Sequence, residues 1–81
     1  MIVFKTFRQE RGDTIISYEP LWNTLNKQNI STYALINKYG IPPSTIDRMK
    51  HNRVITTKTI DALCFILKCP VSDIIMHDDT Q

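Results

Sequence analysis

Pairs of apolar residues five positions apart recur along the chain, and the residue after the first member of each pair suits a helix start. A helix often begins with an apolar residue just before its N-cap, and that residue packs against the fourth helical residue. Hydroxyl residues can cap the free N–H groups there, and proline is tolerated in the first turn. The spacing therefore predicts five short helices. The pairs are Ile16 with Leu21, Ile30 with Leu35, Ile41 with Ile46, Ile55 with Ile60, and Cys69 with Ile74. The residues directly after the first members of these pairs are Ser17, Ser31, Pro42, Thr56 and Pro70.

The predicted helices also carry apolar stripes at helical spacing, which indicates that they share one core. With 81 residues, of which 42% are hydrophobic, the chain is too short for two cores and too apolar to be disordered. Its longest apolar runs are far shorter than a membrane span, and no secretory signal pattern is present at the N-terminus. We therefore expect one cytoplasmic domain without a membrane partner.

The region around Gly40 has the features of a sharp corner between two helices. Helix one is predicted to end near Gln28 and helix two near Tyr39, where Gly40 can adopt the left-handed conformation that closes a helix. Helix three is predicted from about Pro43 to Lys50 or His51, with Ser44 as an alternative cap. A three-residue connection of this kind, residues 40–42, is typical of a helix-turn-helix.

The two ends of the chain differ from its centre. Apolar residues 2–4 and Phe7 favour strand and could form a hairpin with Thr14 to Ile16, or an ordered arm. The fourth helix, which ends at Leu67, is the most apolar and is expected to be the most buried, and a fifth ends near Met76. We predict an N-terminal arm at 1–15, a helical domain at 16–76 and a polar tail at 77–81.

Positive charge is concentrated in the middle of the chain. The net charge of the whole chain is only +2, but residues 27–58 hold six basic residues against Asp47 alone. The flanks are acidic on balance. This segment, which contains the predicted helix-turn-helix, is therefore expected to meet a polyanion. The six basic residues are Lys27, Lys38, Arg48, Lys50, Arg53 and Lys58.

Residues 17–75 resemble the Cro/cI-type (XRE-family) helix-turn-helix domains of bacteria and their phages. The resemblance rests on Thr32 to Tyr39 before Gly40, on Pro43 to Met49 in the place of a recognition helix, and on the ending Leu67 to Ile75, which is similar to a compact cysteine-bearing subgroup. Two positions depart from the pattern. Ile36 replaces a small residue, which implies locally adjusted packing, and Pro42 replaces a hydroxyl cap, which implies a weaker start to helix three. The resemblance implies an all-α, five-helix, lambda-repressor-like domain with a short N-terminal arm or possible β-hairpin.

A recognition helix here would present its N-terminal and outward residues to DNA bases, because Ile46 and Met49 must face the core. Arg48 is the strongest candidate, since it can donate two bonds to a guanine; the alternative is a solvated arginine paired with an acid. Ser44 and Asp47 could contact bases or serve the helix start, and Pro43 offers only apolar contact. The predicted base contacts are thus Pro43, Ser44, Asp47 and Arg48.

The resemblance also implies phosphate contacts around the motif, through hydroxyls, amides and charges at helix ends. These position the protein without specifying sequence, and Ser31 and Thr56 also serve as helix caps. The predicted phosphate contacts are Ser31, Thr32, Thr45, Lys50, His51, Asn52 and Arg53.

Other chemistries have weaker support. Trp22, Tyr33 and Tyr39 are assigned to core or dimer packing rather than to base stacking. Cys64 and Cys69 fit core stripes as reduced thiols, and no metal-ligand spacing joins them to the two histidines. No nucleophile elbow, phosphate loop or carboxylate pair is present. We therefore expect no enzyme, cofactor, metal or small-molecule ligand.

The sequence thus predicts a transcriptional regulator that binds double-stranded DNA, as a homodimer, with helix 43–51 in the major groove. Repression is favoured by the family resemblance and because these 81 residues hold no sensing domain. The alternative is a protein-interaction module, such as an antitoxin or assembly factor, which a neutral or acidic helix three would favour. A cysteine-based redox or metal switch would require an exposed thiol.

Overall fold

A computed structural model describes residues 16–77, so the predicted arm of residues 1–15 lies outside the described residues. The described part contains four α-helices, one turn of 3₁₀ helix and two short strands. In chain order these are β1 (Ile16–Ser17), α1 (Glu19–Gln28), α2 (Thr32–Asn37), α3 (Pro43–Lys50), α4 (Thr57–Leu67), the 3₁₀ turn (Val71–Asp73) and β2 (Met76–His77).

The prediction of a fifth α-helix is wrong, because the chain makes only one 3₁₀ turn after Pro70. Two of its hydrogen bonds join residues three apart: the N–H of Asp73 donates to the carbonyl of Pro70 at 3.0 Å, and that of Ile74 to Val71 at 2.8 Å. A third bond, from the N–H of Ile75 to the carbonyl of Val71 at 3.1 Å, joins residues four apart and is not continued. The chain then extends into β2, which pairs antiparallel with β1. A two-residue strand already begins at Met76, so no room is left for a full helix.

The domain is therefore mostly helical with a two-stranded sheet rather than all-α. Ile16, for which a hairpin with the first residues of the chain was one of two alternatives, pairs with His77, and Ser17 pairs with Met76. This sheet joins the two ends of the described region. β2 crosses the predicted domain division between residues 76 and 77, and the division itself stays a prediction.

Side-chain caps begin two of the helices as the sequence predicts. The Ser31 hydroxyl accepts from the N–H of Ala34 at 3.1 Å, and the Thr56 hydroxyl from that of Thr59 at 3.3 Å. At α1 the predicted cap is wrong by one residue. Tyr18 is the N-cap, because Ser17 belongs to β1, and the Ser17 hydroxyl accepts instead from the N–H of Glu19.

The connection between α2 and α3 is a five-residue turn, 38–42, rather than the predicted three. α2 ends at Asn37 because the N–H of Tyr39 donates to the carbonyl of Ala34, five residues back, and the carbonyl of Leu35 accepts from Ile41 instead. Gly40 has the predicted left-handed conformation, with φ of 79°. Pro42 is the N-cap of α3 and makes no side-chain cap bond, so the alternative cap at Ser44 is wrong.

Every described α-helix contributes fully buried residues to one core, among them Leu21, Leu35, Met49 and Leu63. Two side chains of α1 connect this helix to later elements of the chain. Thr24 donates to the carbonyl of Asp73, and Gln28 donates to the carbonyl of Leu67, which satisfies an otherwise free acceptor at the end of α4.

The expectation that α4 is the most buried helix is wrong, because Phe65 in its centre is 77% exposed. α4 buries Leu63 and Leu67, whereas α1 buries three residues over a similar length. Among residues 16–77, no helix is long and apolar enough to cross a membrane.

Candidate nucleic-acid interface

α3 has one buried face and one exposed face. Ile46 and Met49 are 3% and 0% exposed and fix the helix against the core, as predicted. At 3.6 residues per turn, the opposite side carries Ser44, Asp47, Arg48 and His51, at spacings of three and four residues. We call these four exposed residues the reading stripe.

The reading stripe contains three of the four predicted base-contact residues. The fourth, Pro43, is exposed at the first position of α3, toward the edge of this face. Its missing N–H causes no loss at a helix start, where that group has no partner within the helix. The stripe also contains His51, which we predicted to contact phosphate.

His51 caps the end of α3. Its Nδ1–H donates to the main-chain carbonyl of Asp47 at 2.9 Å, since a carbonyl can only accept. The same nitrogen lies 3.7 Å from a carboxylate oxygen of Asp47. The carboxylate of the reading stripe thus lies beside His51, and Arg48 remains exposed on the stripe.

The other predicted phosphate contacts lie on α3, at the start of α2 and directly after α3. Lys50 is exposed in the last turn of α3, and Thr45 is half-buried in the first turn. Ser31 is exposed at the N-cap of α2, and Thr32 beside it is half-buried. Because the Ser31 oxygen already accepts from Ala34, its hydroxyl proton is the group left to donate outward.

Asn52 and Arg53 have a structural role that the sequence analysis missed. Asn52 has a left-handed backbone, with φ of 55°, and its side-chain oxygen accepts from the N–H of Tyr18 at 3.3 Å. The hydroxyl of Tyr18 donates to the carbonyl of Arg53 at 2.6 Å. The start of α1 therefore holds the segment that follows α3.

This contact set, which we call the Tyr18 clamp, fixes the positions of Asn52 and Arg53 relative to α3. The N–H of Arg53 also donates to the carbonyl of Arg48, at 2.8 Å. The side chains of Asn52 and Arg53 remain exposed. Tyr18 itself is 3% exposed, and burial raises the pKa of its phenol. The sequence signal for this turn was an asparagine directly after a helix end, a residue that tolerates positive φ.

The aromatic and sulfur-containing residues have mixed positions. Trp22 packs against the core, but Tyr33 and Tyr39 are 74% and 40% exposed, so neither is a core residue. Cys64 and Cys69 are free, half-buried thiols packed against the core. Burial is the largest cause that raises the pKa of the Cys69 thiol, and the neighbouring Cys64 thiol raises this pKa further. Within residues 16–77, no three His, Cys, Asp or Glu side chains are grouped to hold a metal ion.

Comparison with known proteins identifies the family of the chain. The family model of the Cro/C1-type HTH DNA-binding domain matches residues 20–80, about three quarters of the chain. The chain belongs to the Cro/C1-type HTH family. The residue that departs from the family pattern in α2, Ile36, is half-buried against the core, so the fold accommodates it.

A solved structure supports the same assignment. The Cro/C1-type domain described here is similar to the crystal structure of the transcriptional regulator VanUg, with a TM-score of 0.72 and 25% sequence identity. The match covers 85% of this chain and 95% of that one. No curated protein sequence matches the chain.

Proposed function

We propose that this Cro/C1-type protein is a sequence-specific transcriptional repressor that binds double-stranded DNA as a homodimer. The observation that carries the proposal is the reading stripe on α3. It is exposed, it is directly opposite two buried anchor residues, and it lies within the most basic segment of the chain. An α-helix with one such face fits the major groove of B-DNA.

In this mechanism Arg48 provides the main base contact. Its guanidinium donates two hydrogen bonds to O6 and N7 of a guanine, a pairing that discriminates against other bases by about 1 to 3 kcal/mol. Asp47 can accept from a cytosine amino group, and Ser44 can bond to a base or a phosphate. Pro43 offers an apolar contact, such as with a thymine methyl group.

The phosphate contacts orient α3 in the groove. Lys50 and Arg53 supply charge, Ser31, Thr32 and Thr45 supply hydroxyls, and Asn52 supplies a side-chain N–H group. For Asn52 this is the amide nitrogen, because its oxygen is bonded to the N–H of Tyr18. His51 already donates Nδ1–H to the Asp47 carbonyl, so it can donate to a phosphate only through Nε2–H of the doubly protonated ring. A dimer would place two copies of α3 in successive major grooves, about 34 Å apart. Occupation of a promoter in this way would exclude polymerase.

The regulatory role is supported by the similar structure, which is that of a transcriptional regulator. The basic character of residues 27–58 favours DNA over a protein partner, because a net positive segment attracts a polyanion. Repression is the simplest outcome of occupying a promoter. A reporter gene placed behind the selected operator would test whether the protein lowers or raises transcription.

The decisive experiment is selection from a random pool of duplex DNA by the wild-type protein, Arg48→Ala and Arg53→Ala, at two salt concentrations. We expect the wild type to enrich a two-fold symmetric motif. Arg48→Ala should lose the preference at one position in each half-site. The matched control, Arg53→Ala, should bind all sequences more weakly but keep the motif, because a phosphate contact carries no base preference.

A motif that is unchanged by Arg48→Ala would contradict the assignment of this residue. Salt-sensitive binding without any motif, or the absence of binding, would contradict sequence-specific regulation and favour the protein-interaction module.

A further inference from the structure

One apolar surface of the molecule contains none of the predicted DNA contacts. It lies where α4 meets the 3₁₀ turn, around a groove of about 540 Å³. Apolar and sulfur-containing side chains dominate its walls, and Val71 at its edge is 53% exposed. The groove is lined by Thr57, Ile60, Asp61, Cys64, Cys69, Pro70, Val71 and Ile75.

An exposed aromatic ring stands beside this groove. Phe65 follows Cys64 in the sequence and lies one helical turn after Asp61, both of which line the groove. The Nζ of Lys68 lies 5.2 Å from the centroid of the ring, yet the residue is still 77% exposed. An exposed aromatic side chain beside an apolar groove allows the same surface of two copies to bind each other, because each ring can enter the groove of the other copy.

Charge along α4 indicates how two copies would align. Asp61 and Lys68 are both exposed and lie on opposite sides of Phe65 along the helix. If two copies of α4 pack antiparallel around a two-fold axis, Asp61 can face the partner's Lys68, and the reverse pair forms at the same time. The same register places Phe65 against the partner's Cys64, in the groove.

We propose that this surface, formed by Phe65, Asp61, Lys68 and the groove of α4, binds a second copy of the chain in an antiparallel, two-fold arrangement. This proposal identifies the contact of the homodimer and therefore rests on the dimeric part of the proposed function. Two reciprocal ion pairs fix the register, and two reciprocal insertions of Phe65 bury the apolar area.

The test is the monomer–dimer equilibrium of the full chain without DNA, measured by sedimentation velocity over a range of protein concentrations. Phe65→Ala should weaken dimerisation by about tenfold or more, because a buried aromatic anchor is lost. Tyr33→Ala is the matched control, since Tyr33 is equally exposed but lies on α2, and it should leave the equilibrium unchanged.

Charge exchange tests the register and guards against variants that merely misfold. Asp61→Lys and Lys68→Asp should each weaken dimerisation, because each places like charges opposite one another. The double variant with both changes should recover it, which loss of folding could not explain. Asp is acceptable at position 68, where the backbone is left-handed, with φ of 53°.

The proposal would be overturned if the wild type were a monomer at all concentrations. It would also be overturned if Phe65→Ala and the charge exchanges left the monomer–dimer equilibrium unchanged. The monomeric result would also arise if residues 1–15 or another protein occupied the groove. The DNA selection is an independent readout. If the protein enriches a two-fold motif but its dimerisation is unchanged in these variants, the proposed function stands and only this surface is rejected. If dimerisation depends on α4 but no DNA sequence is preferred, this surface stands and the proposed function is rejected.

Discussion

Tyr18 shows how one side chain can connect the core to the DNA-binding segment. Its ring is buried, its main-chain N–H binds the Asn52 side chain, and its hydroxyl binds the Arg53 carbonyl. These bonds join residues more than thirty positions apart in the sequence. The orientation of the loop after α3 therefore depends on a residue that is not among the predicted DNA contacts.

Replacing Tyr18 with Phe removes only the hydroxyl and keeps the buried ring. We expect the free energy of unfolding to fall by about 1 kcal/mol, the usual net value of one such hydrogen bond. Chemical denaturation measures this directly. Tyr33→Phe is the control, because Tyr33 is 74% exposed, and it should have no effect. Equal effects of the two changes would mean that the bond to Arg53 contributes nothing.

The same residue predicts a loss of stability at alkaline pH. Burial raises the pKa of Tyr18 above its ordinary value of 10.0. Below about pH 10 the phenol is neutral in both the folded and unfolded states, but above it the unfolded chain ionises first, so stability falls as pH rises. The stability advantage of the wild type over Tyr18→Phe should therefore shrink between about pH 9 and pH 11. A constant difference across this range would show that the phenol titrates normally.

At the scale of elements, Gly40 determines the corner between α2 and α3. Its φ of 79° lies in the region that L-residues avoid, and a Cβ added there would meet nothing within 4 Å. The cost of a side chain is therefore one of backbone conformation alone. Gly40→Ala should lower the free energy of unfolding by about 1 to 2 kcal/mol.

Gly40→Asn is the matched variant for this position. It should be less destabilising than alanine, because asparagine visits the left-handed region more readily. Thermal or denaturant unfolding distinguishes the two. Equal stabilities for alanine and glycine at this position would contradict the account of the turn.

The sequence predicted the helices whose starts and apolar stripes are local. Ser31 and Thr56 cap α2 and α4, and α3 begins at the predicted Pro43. The reading stripe also follows from periodicity, because burying Ile46 and Met49 leaves Ser44, Asp47 and Arg48 outside. Features of this kind depend on residues within one helical turn.

Two of the errors occur where distant parts of the chain meet. Ser17 is a reasonable cap by local chemistry, but pairing with Met76 draws it into a strand, and the helix starts after Tyr18. The same pairing replaces the expected fifth helix with a 3₁₀ turn. The Tyr18 clamp likewise joins residues that no local spacing relates, so the structural role of Asn52 could not be read from the sequence.

For the whole molecule, charge distribution determines how binding responds to salt. Each phosphate that a lysine neutralises releases counterions, and the logarithm of affinity falls with the logarithm of salt concentration by about 0.9 per contact. Lys50→Ala should therefore reduce this slope by about 0.9 for each subunit bound. Fluorescence anisotropy on one duplex at several salt concentrations measures the slope.

Lys27→Ala is the control for charge alone, because Lys27 lies in the last turn of α1 and is not among the predicted phosphate contacts. It should change the slope less than Lys50→Ala does. If both variants reduce the slope equally, the basic segment acts as a diffuse charge and Lys50 makes no defined phosphate contact.

The central claim is that α3 reads bases in the major groove through Arg48. Its most direct test is a double cycle on the selected operator, in which the contacted guanine is replaced by 7-deazaguanine, which lacks the N7 acceptor, and Arg48 by alanine. We expect the base change to weaken wild-type binding by about tenfold and to leave binding by Arg48→Ala unaffected. Equal losses for both proteins would contradict it, because the N7 atom and Arg48 would then act independently.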